Sequence, residues 1–232
     1  MPSLENPFTP ESRKPKRSLV ELFKRGKKAE GENEIDKALN KALTEAKARR
    51  NEKDVERQRI ENLFDTELSD QAYDCIQSLV KIGFDDEKLL EAINIEDEEI
   101  HDLNLSGLTS AEHLTLPESI GGYLNLHGLS SAEHLILPAS NGGYLDLQNL
   151  TSAEHLTLPK SIGSHLNLRG LTSAEHLTLP DSIGGWLDLN GLTSAEHLTL
   201  PKSIGGGLNL SRLTLAEKEK LRERYPQHAD KI

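Results

Sequence analysis

From Leu103 onward, apolar positions return with a 21-residue period written L-x-L-x-x-L-x-x-A-x-x-L-x-L-P-x-x-I-G-G-x. Leu103 recurs as Leu124, Leu145, Leu166, Leu187 and Leu208, giving five full copies and the start of a sixth. Each unit holds two Leu-x-Leu pairs, such as Leu103/Leu105 and Leu114/Leu116. Alternation of this kind marks a short strand with one face buried. Two strands leave no room for a helix in so short a unit. Each unit therefore predicts one coil of a parallel β-solenoid, with coils stacked about 4.8 Å apart. The expectation is a mainly β repeat protein of about five and a half coils over residues 103–210, with two short strands per coil.

The remaining constant positions fit that coil. Leu108, Ala111 and Ile120 are expected to point inward at corners. Pro117, Pro138, Pro159, Pro180 and Pro201 are expected to end the second strand, where a missing N–H does little harm. Gly pairs such as Gly121-Gly122 suit a corner that Cβ atoms would block. Asn141 stands where the other copies have Ile. It predicts a locally weaker core, or an Asn side chain hydrogen-bonded at the corner.

The flanks read differently. Ile35, Leu39, Ala42, Leu43 and Ala46 lie at helical spacing, and Val55, Ile60, Leu63 and Phe64 resume an apolar face. Residues 34–63 thus predict one long helix, or two with a break near Asn51. Ser69 or Asp70 is placed to cap a helix ending near Lys81 and Gly83, and Asp85 or Asp86 to cap a second one. Residues 34–102 as a whole read as a helical region that caps the solenoid. Over 211–232, Thr214 with Glu217 forms a capping-box pattern opening a short helix that Pro226 stops, a second cap. Capping has a physical reason: an end coil would otherwise expose an apolar face and an unpaired edge. Residues 1–33, punctuated by Pro2, Pro7, Pro10 and Pro15, predict a disordered tail.

Charge sharpens this organisation. The chain of 232 residues carries a net charge of −11, split as +3 over 1–33, −10 over 34–102 and −4 over 103–232. So acidic a balance argues against a large nucleic-acid face. Nucleic acid or an anionic membrane would be met only through the tail, by its basic clusters Arg13, Lys14, Lys16, Arg17 and Lys24, Arg25, Lys27, Lys28. The spacing of these clusters resembles a bipartite nuclear-import signal; a solubilising tail is the plainer reading. The single cysteine, Cys75, allows no intrachain disulfide and suits a reducing compartment. No apolar run is long enough for a signal peptide or transmembrane helix. A cytoplasmic protein is expected, with export as an effector left open.

By Leu116-Pro117-Glu118-Ser119-Ile120-Gly121 the unit resembles leucine-rich-repeat solenoids. Its paired Leu-x-Leu is similar to the flattened coils of receptor L-domains and bacterial surface-antigen leucine-rich repeats. The unit lacks the Asn of the usual L-x-x-N-x-L turn, so the resemblance implies a straight stack rather than a horseshoe. Separately, Ile76, Leu79, Ile82-Gly83-Phe84, Leu89-Leu90 and Ala92-Ile93 resemble the first two helices of the ubiquitin-associated (UBA) type of three-helix domain. A third helix would have to fit Glu96-Asp97-Glu98-Glu99-Ile100 before strand residues begin at Leu103.

Outward positions make columns: His113, His134, His155, His176 and His197 beside Glu112, Glu133, Glu154, Glu175 and Glu196, with Asn104, Asn125, Asp146, Asn167, Asp188 and Asn209 on the other strand. Stacked imidazoles lack the convergence a tetrahedral metal site needs; repeat duplication accounts for such columns without a function. No metal site and no cofactor is expected. One column varies: Tyr123, Tyr144, His165, Trp186, Gly207. Aromatics on a rigid face suit binding hot spots, so Tyr123, Tyr144, His165 and Trp186 are the candidate partner-binding residues. The expected function is a non-enzymatic scaffold or protein–protein interaction module. The alternatives are an intracellular effector or regulator targeted by the tail and acting through UBA-like helices, and a carbohydrate-active β-helix enzyme using Asp146 and Asp188. No nucleophile motif, P-loop or dinucleotide fingerprint occurs.

Overall fold

The computed structural model describes residues 32–232. The basic clusters of the tail and its expected disorder lie outside the described residues. Among the described residues, four α-helices, α1 (Glu32–Phe64), α2 (Asp70–Lys81), α3 (Asp86–Ala92) and α4 (Leu215–Arg224), flank twelve strands. The strands are β1 (Ile93–Glu96), β2 (Glu99–Asn104), β3 (Ser119–Ile120), β4 (Leu124–Asn125), β5 (Ser140–Asn141), β6 (Leu145–Asp146), β7 (Ser161–Ile162), β8 (Leu166–Asn167), β9 (Ser182–Ile183), β10 (Leu187–Asp188), β11 (Ser203–Ile204) and β12 (Leu208–Asn209). The chain divides between Asp54 and Val55 into two compact units. α1 is one helix with no break at Asn51.

Residues 103–210 form a parallel β-solenoid with two short strands per coil. One sheet runs β1-β2-β4-β6-β8-β10-β12, the other β11-β9-β7-β5-β3. Parallel partners are 21 positions apart throughout: Leu103 with Leu124, Leu145 with Leu166, Leu187 with Leu208. The Leu columns fill the interior, with Leu124, Leu126, Leu129, Leu145, Leu147 and Leu150 wholly buried.

The second strand lies elsewhere than the Leu-x-Leu pattern predicts. Leu114–Leu116 and its copies form no strand; the paired residues are Ser119–Ile120, after the proline. The reason is local. Ala111, Glu112, His113 and Leu114 make a tight turn closed by the Leu114 N–H on the Ala111 carbonyl, 3.0 Å. That bond engages the amide that would open a ladder, and Pro117 has none to give. The proline is buried and precedes the strand rather than ending it.

Asn141 is 2% exposed in the Ile column, between Ile120 and Ile162. Its Nδ2 donates to the Gly143 carbonyl at 3.0 Å, while its Oδ1 has no partner. The corner hydrogen bond expected from sequence is therefore present but half satisfied. Asn141→Ile restores the column and removes a buried orphan acceptor, a gain of about 2 kcal/mol, read as a higher denaturation midpoint with unchanged slope.

The helical region carries one further correction. Ser69 accepts from the Ala72 N–H and Asp85 from the Lys88 N–H, as the cap pattern predicts. Where a UBA-type third helix would stand, the chain makes the antiparallel hairpin β1–β2 instead. Asp97 and Glu98 turn it with φ of 49° and 68°. Two successive positive φ values define a turn whose twist matches the flanking strands. β2 then opens the large sheet, so the hairpin is the first rung of the solenoid.

Both ends of the second sheet are covered by side chains. Ser78 of α2 accepts from the Thr115 N–H at 3.0 Å, and Gln71 accepts from the Glu118 N–H at 2.8 Å. At the other end His228 Nε2 meets the Pro201 carbonyl at 2.7 Å, and Lys231 donates to the Ile204 carbonyl. The Thr214–Glu217 capping box forms, and Glu217 Oε1 also accepts from the Ala195 N–H at 3.2 Å. Burial among these elements pushes the Cys75 thiol up to about 12, an inert core thiol.

Candidate functional site

The constant outward columns are occupied by local bonding. Each Asn or Asp of the large sheet accepts from the backbone N–H two residues on: Asn104 from Ser106, Asn125 from His127, Asp146 from Gln148, Asn167 from Arg169, Asp188 from Asn190, Asn209 from Ser211, at 2.9–3.2 Å. Short polar side chains that turn the backbone in this way are Asx turns. Ser110, Ser131, Ser152, Ser173 and Ser194 do the same for the following Glu, at 3.1–3.2 Å. This Ser column carries weight that the sequence reading did not assign to it.

The His column is likewise part of a turn, not of a strand. His113, His134, His155, His176 and His197 have φ of 61–65°. They hold the third position of the Ala-Glu-His-Leu turn, and a positive φ there, without one at the preceding Glu, is the pattern of a type II turn. Each imidazole lies 3.6–3.7 Å from the carboxylate of its own Glu neighbour, in solvent. Exposed pairs of this kind contribute little. Among the described residues, no three His, Cys, Asp or Glu side chains converge on a point that could hold a metal ion.

The variable column is built otherwise. It begins one coil earlier than the repeat pattern suggests, at Asp102. Asp102 Oδ1 accepts the Tyr123 N–H at 2.7 Å, and three coils on His165 Nδ1 accepts the Trp186 N–H at 2.8 Å. His165 thereby carries its proton on Nε2 and serves the scaffold as well as the surface. Burial works against the charge of Asp102, but the Tyr123 N–H and the His101 imidazole outweigh it and hold its carboxyl below the usual range. Tyr144 is half-buried; its hydroxyl accepts from Asn167 Nδ2 at 3.0 Å, and its ring meets that of His165 edge-on, centroids 6.1 Å apart. Burial lifts its hydroxyl above the ordinary range, against the Asn167 hydrogen bond and with the help of Asp146 and Asp188, so it stays protonated.

Trp186 is 59% exposed and Tyr123 37%. A Cβ on Gly207 would run into the Trp186 ring, and one on Gly206 would lie 2.8 Å from its Cδ1. The indole therefore rests on the bare backbone of the next coil, which explains why the column ends in glycine. Its other face is open. Tyr144, His165, Asn167, Trp186, Asp188 and Asn209 line a cleft of about 350 Å³ along this edge. Of the four predicted site residues, the structure brings Tyr144, His165 and Trp186 together here; Tyr123 stands outside the cleft.

A second surface follows from the displaced strand. Leu137, Leu158 and Leu179, expected to be strand residues with one buried face, are only half-buried. Leu158 and Leu179, with Pro159, Pro180 and the flanking threonines, line a shallow groove of about 360 Å³. Alternation concealed it, because both leucines of a pair read as inward. Among the described residues no helix is long and apolar enough to cross a membrane. No protein family, curated protein or solved structure matches this chain.

Proposed function

We propose that this protein is a non-enzymatic repeat scaffold that captures a protein partner along the variable column, with Trp186 as the anchor. The observation that carries the reading is the open indole face laid on Gly206 and Gly207 beside the cleft. The constant Asn/Asp and Ser columns are engaged in turning their own coils, whereas this one holds exposed aromatics on a rigid base. Trp and Tyr dominate the energetics of protein interfaces because they bury much area for little lost rotamer freedom. Asp146 and Asp188 each use one carboxylate oxygen to hold a turn of their own coil, a scaffold role.

Capture from the native cell followed by mass spectrometry identifies the partner, and titration of the purified pair measures its affinity. Trp186→Ala is expected to weaken binding by about 30-fold or more, the loss of a ~2 kcal/mol anchor, with the fold intact. Tyr123→Ala gives a smaller loss. Tyr144→Ala also lowers stability, because it removes the Asn167 and His165 contacts. An unchanged affinity in Trp186→Ala rules out this face as the binding site.

A further inference from the structure

In the first unit, nothing among the described residues covers an apolar face of α1. In α1, Ile35, Leu39 and Leu43 are 62%, 59% and 52% exposed. At 100° per residue they fall with Ala38, Ala42 and Ala46 within one stripe about 140° wide, enough for a helix-packing face. The alanines allow close approach of a second backbone. Beyond Ala46 the same face continues into Arg49, Arg50 and Lys53, while Glu34 and Asp36 flank its beginning. All of these side chains are exposed. Residues 34–36 thus carry two acids and residues 47–50 three bases, on either side of the apolar stretch.

We propose that residues 34–53 of α1 pair with the same segment of a second copy of this chain, in antiparallel orientation. Centring the pair near Lys41 sets Leu39 of one copy against Leu43 of the other, twice by symmetry. It also places Glu34 and Asp36 beside Lys47, Arg49 and Arg50 of the other copy. A two-fold axis makes such an interface self-complementary. The parallel arrangement would lay acid on acid and base on base, and would align the two helix dipoles; the antiparallel one opposes them. Helix formation itself is supported by good formers along the segment and by the Lys41–Glu45 pair at 4.0 Å. Three large side chains per copy make a small interface, so pairing is expected to be reversible and to depend on concentration.

Sedimentation equilibrium of the full chain over a wide concentration range tests this. The fitted mass is expected to rise from 25.7 kDa to twice that value. Leu39→Glu with Leu43→Glu is expected to leave a monomer at every concentration, with its helical signal and the protection of Cys75 from alkylation retained. Glu34→Lys with Asp36→Lys, and separately Lys47→Glu with Arg49→Glu and Arg50→Glu, are each expected to weaken pairing at least tenfold, and their mixture to restore it. For orientation, an Ile35→Cys chain and an Ala46→Cys chain are expected to cross-link with each other and not with themselves. A wild-type chain that stays monomeric up to millimolar concentration overturns the proposal, as does cross-linking of Ile35→Cys chains to one another. Pairing that survives both Leu substitutions overturns it as well.

Discussion

Replacing Gly163 with alanine is expected to lower the melting temperature by about 6–12 °C, from a destabilisation of about 3 kcal/mol. The cause is the stacking of coils, not the dihedral angles of the residue. A Cβ built at Gly163 falls on the carbonyl oxygen of Gly142 in the coil before, and one at Gly184 falls on that of Gly163. The Gly163 N–H also donates to the Asn141 carbonyl at 2.9 Å, so the backbone has no freedom to withdraw. An overpacked position held by ladder bonds on both sides relaxes only by parting coils. The next position already carries Ser164 where all four other copies have a second glycine. Ser164→Ala is therefore expected to shift the melting temperature by no more than about 2 °C, which makes the pair a controlled comparison by calorimetry.

Removal of residues 214–232 is expected to have the larger consequence. It uncovers the Pro201 and Ile204 carbonyls and strips Leu221 and Tyr225 from the last coil, where both are buried. Burial of two such side chains supplies about 3–6 kcal/mol, a large part of the ~5–15 kcal/mol that stabilises a domain. What remains is an open parallel edge, the arrangement most prone to pair with another chain. Light scattering on the truncated chain is expected to report high-mass assemblies under conditions where the full chain gives none. Tyr225→Ala, which keeps the His228 contact, is expected to melt earlier without assembling.

Much of this architecture is legible in the residues, and the failures have particular causes. The period and the Leu columns show a solenoid because each unit can bury its apolar face only against its neighbours. The caps at Ser69, Asp85 and Thr214 are local chemistry and read directly. The position of the second strand does not, because Leu-x-Leu looks the same whether its amides pair or not. The decisive fact is the turn before it, whose third residue is His with a positive φ, a place where Gly or Asn is the usual signal. The hairpin at Asp97-Glu98 was hidden for the same reason: neither residue is the glycine that marks such turns. Of the binding face, the aromatic column is visible as the one place where the copies differ. The support of Trp186 by Gly207, and the role of His165 in holding the Trp186 amide, need the register between coils.

Each 21-residue unit is one coil whose ladder bonds run through Leu-x-Leu at its start and Ser-Ile after its proline. Residue-resolved amide exchange in the third and fourth coils tests it. Leu166 and Leu168 donate to the Trp186 and Asp188 carbonyls, both at 2.9 Å, and Gly163 to that of Asn141. These three amides are expected to exchange slowly and together, at the rate of global unfolding. Thr157 and Leu158, which make no backbone ladder, are expected to exchange far faster. Protection of Thr157 and Leu158 equal to that of Leu166 and Leu168 would instead place the second strand before the proline.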